Sequence, residues 1–291
     1  MFFGSIPALV TPFSGGRVAE DTFAEFVEWQ ITEGSNALVP CGTTGEVATL
    51  TAEEHREVIA HTVRTVKGRV PVIAGCGTYS TANSIERIRV AADVGADGAL
   101  VVVPYYNKPS QAGLIAHFTA IAEASPLPIV IYNVPSRTVA DISVESLSEI
   151  AKHPRIVAVK DATGNLARVS AQRIACGEGF IQLSGNDDMA LDFNAMGGVG
   201  CISVTANVAP RLCANFQKAM KDGRWDEALR LQDQLYPLHA ALFTDASPAP
   251  TKYALSRVRP GFPQELRLPL VEASEASKRA VDAALGHAGL I

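Results

Sequence analysis

At 291 residues the chain can build one large α/β domain or two small ones. Apolar residues make up 47%, charged residues 19%, and the net charge is −5 with no basic tract. This suits a soluble globular protein with a large core and argues against nucleic acid, whose backbone demands clustered Lys and Arg. Every apolar run is far shorter than a membrane span, and the opening MFFGSIPALVTPF lacks a basic leader and a small-residue cleavage site. A cytoplasmic protein with no membrane or nucleic-acid partner is expected.

Eight short apolar runs recur in chain order, each reading as a buried strand: residues 5–12, 37–41, 70–75, 98–104, 128–135, 156–160, 180–185 and 200–204. Between them the period becomes helical. In TFAEFVEWQITEG, Phe23, Phe26, Val27 and Ile31 share a face and Gly34 is a stop. In LTAEEHREVIAHTVRTVKG, Thr51 and Glu54 predict a capping box and Gly68 an end. Alternation about every 30 residues predicts βα units, and eight units match a (β/α)8 TIM barrel. An open doubly wound sheet is the alternative, but it usually carries GxGxxG after its first strand, where TPFSGGR stands instead. Beyond residue 205 the pattern is helical. The expected division is a catalytic barrel over 1–224 and a C-terminal helical extension over 225–291, packed on one side or forming a subunit contact.

The five cysteines are odd in number and form no CxxC, and His55 and His61 have the wrong spacing for HExxH, so neither a disulfide framework nor a metal site is expected. Most cysteines should be small core residues and most histidines surface residues.

Chemistry in such a barrel sits at the C-terminal strand ends. There the chain places Thr43, Thr44 and Glu46 after the second run, and Tyr105, Tyr106 and Asn107 after the fourth. Tyr132, Asn133 and Arg137 follow the fifth, SGND the seventh and SVTAN the eighth. The sixth run, IVAVK, ends in Lys160. An ammonium is costly to bury unpaired, and the neighbouring Asp161 should face the other way on a strand. A lysine kept dry is suited to attack on a carbonyl, since desolvation favours the neutral amine. Tyrosine and threonine hydroxyls can relay protons, and backbone N–H groups or an arginine fork can hold carboxylates. Taken singly, Tyr105, Tyr106 and Tyr132 read equally well as core or interface aromatics, and Arg137 reads more readily as a solvated loop charge.

GTTGE (42–46), PYYNKPSQAGL (104–114), YNVPSRT (132–138), VKDATGN (159–165) and SVTAN (203–207) together resemble the dihydrodipicolinate synthase family, within the pyruvate-dependent class I aldolases. The likeness runs essentially end to end. It implies condensation of pyruvate with L-aspartate 4-semialdehyde through a Lys160 Schiff base, with no metal and no organic cofactor. It implies Tyr132 as proton shuttle, Thr43 linking Tyr132 to Tyr106 of a neighbouring subunit, and Thr44 on the pyruvate carboxylate. Arg137 would bind the aldehyde's carboxylate, and Gly185 and Ile202 would offer backbone groups near the lysine. A homotetramer is implied as well. Other members cleave N-acetylneuraminate or 2-keto-3-deoxy sugar acids with the same lysine, but PSRT together with GTTGE favours the synthase. A silent sensor barrel would not need the nucleophile.

Many relatives are inhibited by lysine at a subunit interface. The matching region keeps Ala48, His55 and Tyr105. It has Asn83 where lysine-sensitive relatives usually carry a glutamate, Tyr79 where asparagine is common and Val47 where serine is common. Weak or absent lysine inhibition is expected.

Overall fold

The computed structural model describes all residues, 1–291. Seven parallel strands lie side by side in the order Gly4–Pro7, Gly200–Ser203, Ile181–Ser184, Ile156–Asp161, Ile129–Asn133, Gly98–Val102 and Ile73–Gly75. Residues 38–39 close the ring, since Ala8 bridges Val39 and Leu38 bridges Val72, both in parallel. The Leu9 N–H donates to Val39 O and the Ile73 N–H to Leu38 O, each at 2.9 Å. The eight apolar runs therefore form a (β/α)8 barrel, and the doubly wound alternative falls. The second run makes only single bridges, because Pro40 has no N–H and Cys41 turns the chain away at φ 56°.

TPFSGGR forms a two-stranded hairpin, Phe13–Ser14 on Arg17–Val18, turned through Gly15 and Gly16 at φ 59° and 78°. Two successive positive φ values are what a tight hairpin turn requires. The capping box is present: Thr51 Oγ1 accepts from the Glu54 N–H at 3.1 Å, and Glu54 Oε2 from the Thr51 N–H at 2.9 Å. It opens the helix Ala52–Val66, which ends through left-handed Lys67 as well as Gly68. In the helix Glu20–Thr32, Phe23, Phe26 and Val27 are buried as expected, while Ile31 is only partly covered. Gln30 is buried beside them, its Nε2 donating to Asn207 O at 3.1 Å.

Pro210–Lys221 follows the last strand, and three further helices complete the chain: Trp225–Ala241, Ala249–Val258 and Glu275–Ala288. Their apolar residues Leu235, Leu238, Leu255 and Leu285 belong to the same hydrophobic cluster as Phe23 and Phe26. A buried ion pair also ties them to the barrel, with Lys252 Nζ 2.5 Å from Glu46 Oε1.

All five thiols are free, and Cys41, Cys76, Cys201 and Cys213 are buried, as expected. The histidines correct the expectation: His55, His117 and His239 are buried. Each ring has one nitrogen satisfied, by Gly75 O at 2.8 Å, Thr81 Oγ1 at 2.9 Å and Thr205 Oγ1 at 2.8 Å. Burial pushes all three below the ordinary histidine range, His117 to about 4. A neutral imidazole with a partner is tolerable in a core, which residue-type habits alone do not reveal.

Candidate active site

Lys160 is the penultimate residue of the sixth barrel strand, in register with Tyr132 on the fifth and Leu183 on the seventh. Its side chain is directed inward, above the apolar barrel interior of Ala158, Val130, Leu100 and Ile6. Nζ lies 4.1 Å from the centroid of the Tyr132 ring, and Lys160 is only 5% exposed. No carboxylate pairs with it. Asp161, one residue on, faces outward and is fully engaged: it accepts from Thr163 Oγ1 at 2.6 Å, Gln172 Nε2 at 2.7 Å and Arg168 Nε at 3.3 Å. Strand alternation thus separates the two charges, as the sequence implies. It leaves Lys160 a buried amine facing a tyrosine.

The turn carrying Thr43 and Thr44 is held from several sides. Thr11 Oγ1 donates to Gly45 O at 2.8 Å, and Glu46 stands at φ 55°. A Cβ at Gly45 would meet Leu9 O at 3.0 Å, and one at Gly75 would lie 2.0 Å from Cys41 O, so close backbone packing depends on both glycines. Arg137 sits in the short turn of helix Pro135–Thr138 after the fifth strand, exposed and without an ion pair. Gly185 follows the seventh strand. Its N–H donates to Asp161 O at 2.7 Å, and a Cβ there would lie 2.7 Å from Ala162 Cβ.

Thr43, Thr44, Tyr132, Arg137, Lys160 and Gly185 converge on one cavity of about 540 Å³ at the C-terminal strand ends. A cleft of about 620 Å³ opens elsewhere, beside Phe3, Asn36 and Lys221 near the N-terminal strand ends, away from this chemistry. Two of the expected residues lie outside the cavity. Ile202 is packed in the barrel interior with Leu183 and Tyr132, and Val204 lines the cavity in its place. Tyr106 is 94% exposed, on a left-handed backbone at φ 71°.

Asn186 of the SGND turn lines the cavity, and so do residues that sequence reasoning passed over: Asp188, just after that turn, and His239, Phe243 and Ser247 from the C-terminal helices and the turn after them. SGND marked the turn. Nothing in the local sequence marks His239, which a long-range packing contact delivers. Asp187 is fully committed: it accepts from Ser203 Oγ, the Val204 N–H at 2.9 Å and the Thr205 N–H at 3.3 Å.

Of the residues matching a lysine-binding region, Tyr79 and Tyr105 stand edge to face, with centroids 5.4 Å apart at 88°. Asn107 Nδ2 donates to Tyr79 O at 3.0 Å. Ala48 and Asn83 are exposed, and the His55 ring is used on Gly75.

A barrel with a single unpaired lysine buried at a strand end, facing a tyrosine in a polar cavity, has the parts of a carbonyl-condensing Schiff-base enzyme. The comparisons make this specific. Residues 1–288 match the model of the dihydrodipicolinate synthetase family. The chain is 64% identical over 291 residues to 4-hydroxy-tetrahydrodipicolinate synthase of Zymomonas mobilis and 62% identical over 290 residues to that of Rhizorhabdus wittichii, with both chains covered in full in each case. Among solved structures it is similar to dihydrodipicolinate synthase of Acinetobacter baumannii complexed with pyruvate, at 41% identity and TM-score 0.97 over 100% of both chains. The chain belongs to the dihydrodipicolinate synthetase family.

Proposed function

We propose that this enzyme condenses pyruvate with L-aspartate 4-semialdehyde to give 4-hydroxy-tetrahydrodipicolinate, the first committed step towards diaminopimelate and lysine. The Lys160 amine attacks the ketone of pyruvate and water leaves, forming an imine. Loss of a methyl proton gives the enamine, whose carbon attacks the aldehyde. The substrate's own amine then attacks the imine carbon, closing the ring and releasing Lys160. Tyr132 moves protons at the imine, and Thr44 holds the pyruvate carboxylate, with Gly185 as a backbone neighbour in the cavity and Ile202 packed beneath it. The observation that carries the reading is Lys160 Nζ over the Tyr132 ring at 4.1 Å inside the cavity, with no carboxylate partner.

The exposed Tyr106 supports a role across an interface, where Thr43 links it to Tyr132 of another copy. A cytoplasmic homotetramer is part of the same reading. No helix is long and apolar enough to cross a membrane. The test is turnover of pyruvate with L-aspartate 4-semialdehyde, coupled to a nicotinamide-dependent reductase. Pyruvate alone forming an imine, with no turnover of this aldehyde, would move the second substrate to another class.

Arg137, a cavity-lining cation with no ion pair in the protein, binds the aldehyde's carboxylate. Arg137→Ala is expected to raise KM for the aldehyde roughly 10- to 100-fold, the cost of a lost charge-assisted hydrogen bond, with a far smaller effect on pyruvate. Equal changes for both substrates would refute that role. Lysine inhibition is expected to be weak, because Asn83 offers no charge to an effector's ammonium. An inhibition constant below about 1 mM would count against this, since losing such a hydrogen bond costs roughly 10- to 100-fold in affinity.

A further inference from the structure

The sixth strand, which carries Lys160, is paired with the fifth on one side and the seventh on the other. Arg137 follows the fifth strand and Asp188 the seventh, so two opposite charges flank the lysine across one cavity. Neither is neutralised within the protein. Asp188 is exposed and its carboxylate has no ion-pair or hydrogen-bond partner, whereas Asp187 beside it is wholly occupied. The helix Trp225–Ala241 stands over the Asp188 turn, with Gln232 Nε2 donating to Asp188 O at 3.1 Å. The same helix brings His239 to the cavity wall. That ring is 95% buried (5% exposed), Thr205 Oγ1 holds its Nδ1 at 2.8 Å, and Nε2 has no protein partner.

A cavity with a free cation on one flank and a free carboxylate and imidazole on the other matches a ligand bearing both charges. We infer that Asp188 and His239 form the recognition end for the α-amino group of the aldehyde substrate, opposite the Arg137 end that takes its carboxylate. In this role His239 Nδ1–H donates to Thr205 Oγ1, and Nε2 accepts a hydrogen bond from the amine beside the Asp188 carboxylate. The inference rests on the proposed function and deepens it: the site selects an α-amino aldehyde over one with a carboxylate alone. Such selectivity follows at the buried His239 ring, whose Nε2 is left unpaired by the analogue that lacks the amine.

The test compares two aldehydes, L-aspartate 4-semialdehyde and succinate semialdehyde, which keeps the carboxylate and the aldehyde but lacks the amine. Asp188→Asn removes the charge at an exposed position. His239→Asn deletes Nε2 while its amide can still reach Thr205. Each variant is expected to lower kcat/KM for aspartate semialdehyde roughly 10- to 100-fold, with pyruvate consumption driven by succinate semialdehyde held within about twofold. Borohydride trapping of pyruvate on each variant checks that the fold and the lysine are intact. Equal losses on both aldehydes, or none on either, would overturn the inference while leaving the proposed function standing. Failure of the unaltered enzyme to use aspartate semialdehyde, with trapping intact, would overturn both.

Discussion

Borohydride added with pyruvate is expected to leave one reduced adduct, on Lys160, and Lys160→Ala to lose both the adduct and about a thousandfold or more in turnover. The expectation follows from burial and isolation together. A lysine side chain is rarely taken out of water without a partner. Here the neighbouring carboxylate is turned away and engaged by Arg168, Gln172 and Thr163, and the contact facing Nζ is the Tyr132 ring at 4.1 Å. A structural lysine would not be arranged this way, because its stability would depend on an opposite charge. Intact-mass and peptide-mass measurements settle the matter. An unmodified chain, or an adduct on another lysine, would remove the basis of the proposed mechanism.

The second large effect is on stability, and it concerns the other buried lysine. Lys252→Met is expected to cost about 3–5 kcal/mol, because it strands the Glu46 carboxylate in the protein interior. Lys252 Nζ donates to Glu46 Oε1 at 2.5 Å and to Glu265 O at 2.7 Å, and both side chains of the pair are essentially inaccessible. Burial pushes the Lys252 amine below its ordinary range, against the pull of Glu46. Glu46 Oε2 also accepts from the Arg267 N–H at 3.1 Å, so one carboxylate joins the Thr43–Thr44 turn to the C-terminal segment. Replacing both partners, Glu46→Gln with Lys252→Met, should recover much of the loss, as removing a whole buried pair often does. Denaturant unfolding of Lys252→Met and of the double variant checks this, and a Lys252→Met protein as stable as the parent would refute it.

The neighbouring pair adds an acid limb. Hydrogen bonds from Arg267 and the Thr51 N–H hold the Glu54 carboxyl at about 2, against an ordinary 4.5. A carboxyl depressed in the folded state contributes stability that is full above its unfolded pKa and is lost as pH falls through the folded one. Stability should therefore decline from about pH 4.5 towards pH 2, and Glu54→Gln should flatten that decline.

Much of this was legible in the residues because it depends on local periodicity. Apolar runs of strand length, separated by amphipathic helices, report burial on both faces of a parallel sheet wherever the strands end up. The Thr51–Glu54 capping box lies within four residues and formed as read. Alternation along one strand is likewise local, which is why Lys160 and Asp161 could be assigned to opposite faces in advance. Ring closure was inferred only from the count of eight units. It is achieved by single bridges at residues 38–39, where Pro40 and left-handed Cys41 prevent a longer ladder.

The sequence by itself determined the barrel class, the strand that carries the lysine, and the loops that bring threonines, a tyrosine and an arginine to one end. Each of these follows from short-range pattern together with the rule that parallel strands present their C-terminal ends on one face. Only the tertiary structure decided that His239 and Asp188 share the cavity with Lys160, that Ile202 lies beneath it while Val204 lines it, and that Glu46 meets Lys252 across some two hundred residues of chain. These are contacts between distant segments. They are set by how the C-terminal helices pack on the strand ends, and no periodicity within either segment encodes the partner it will meet.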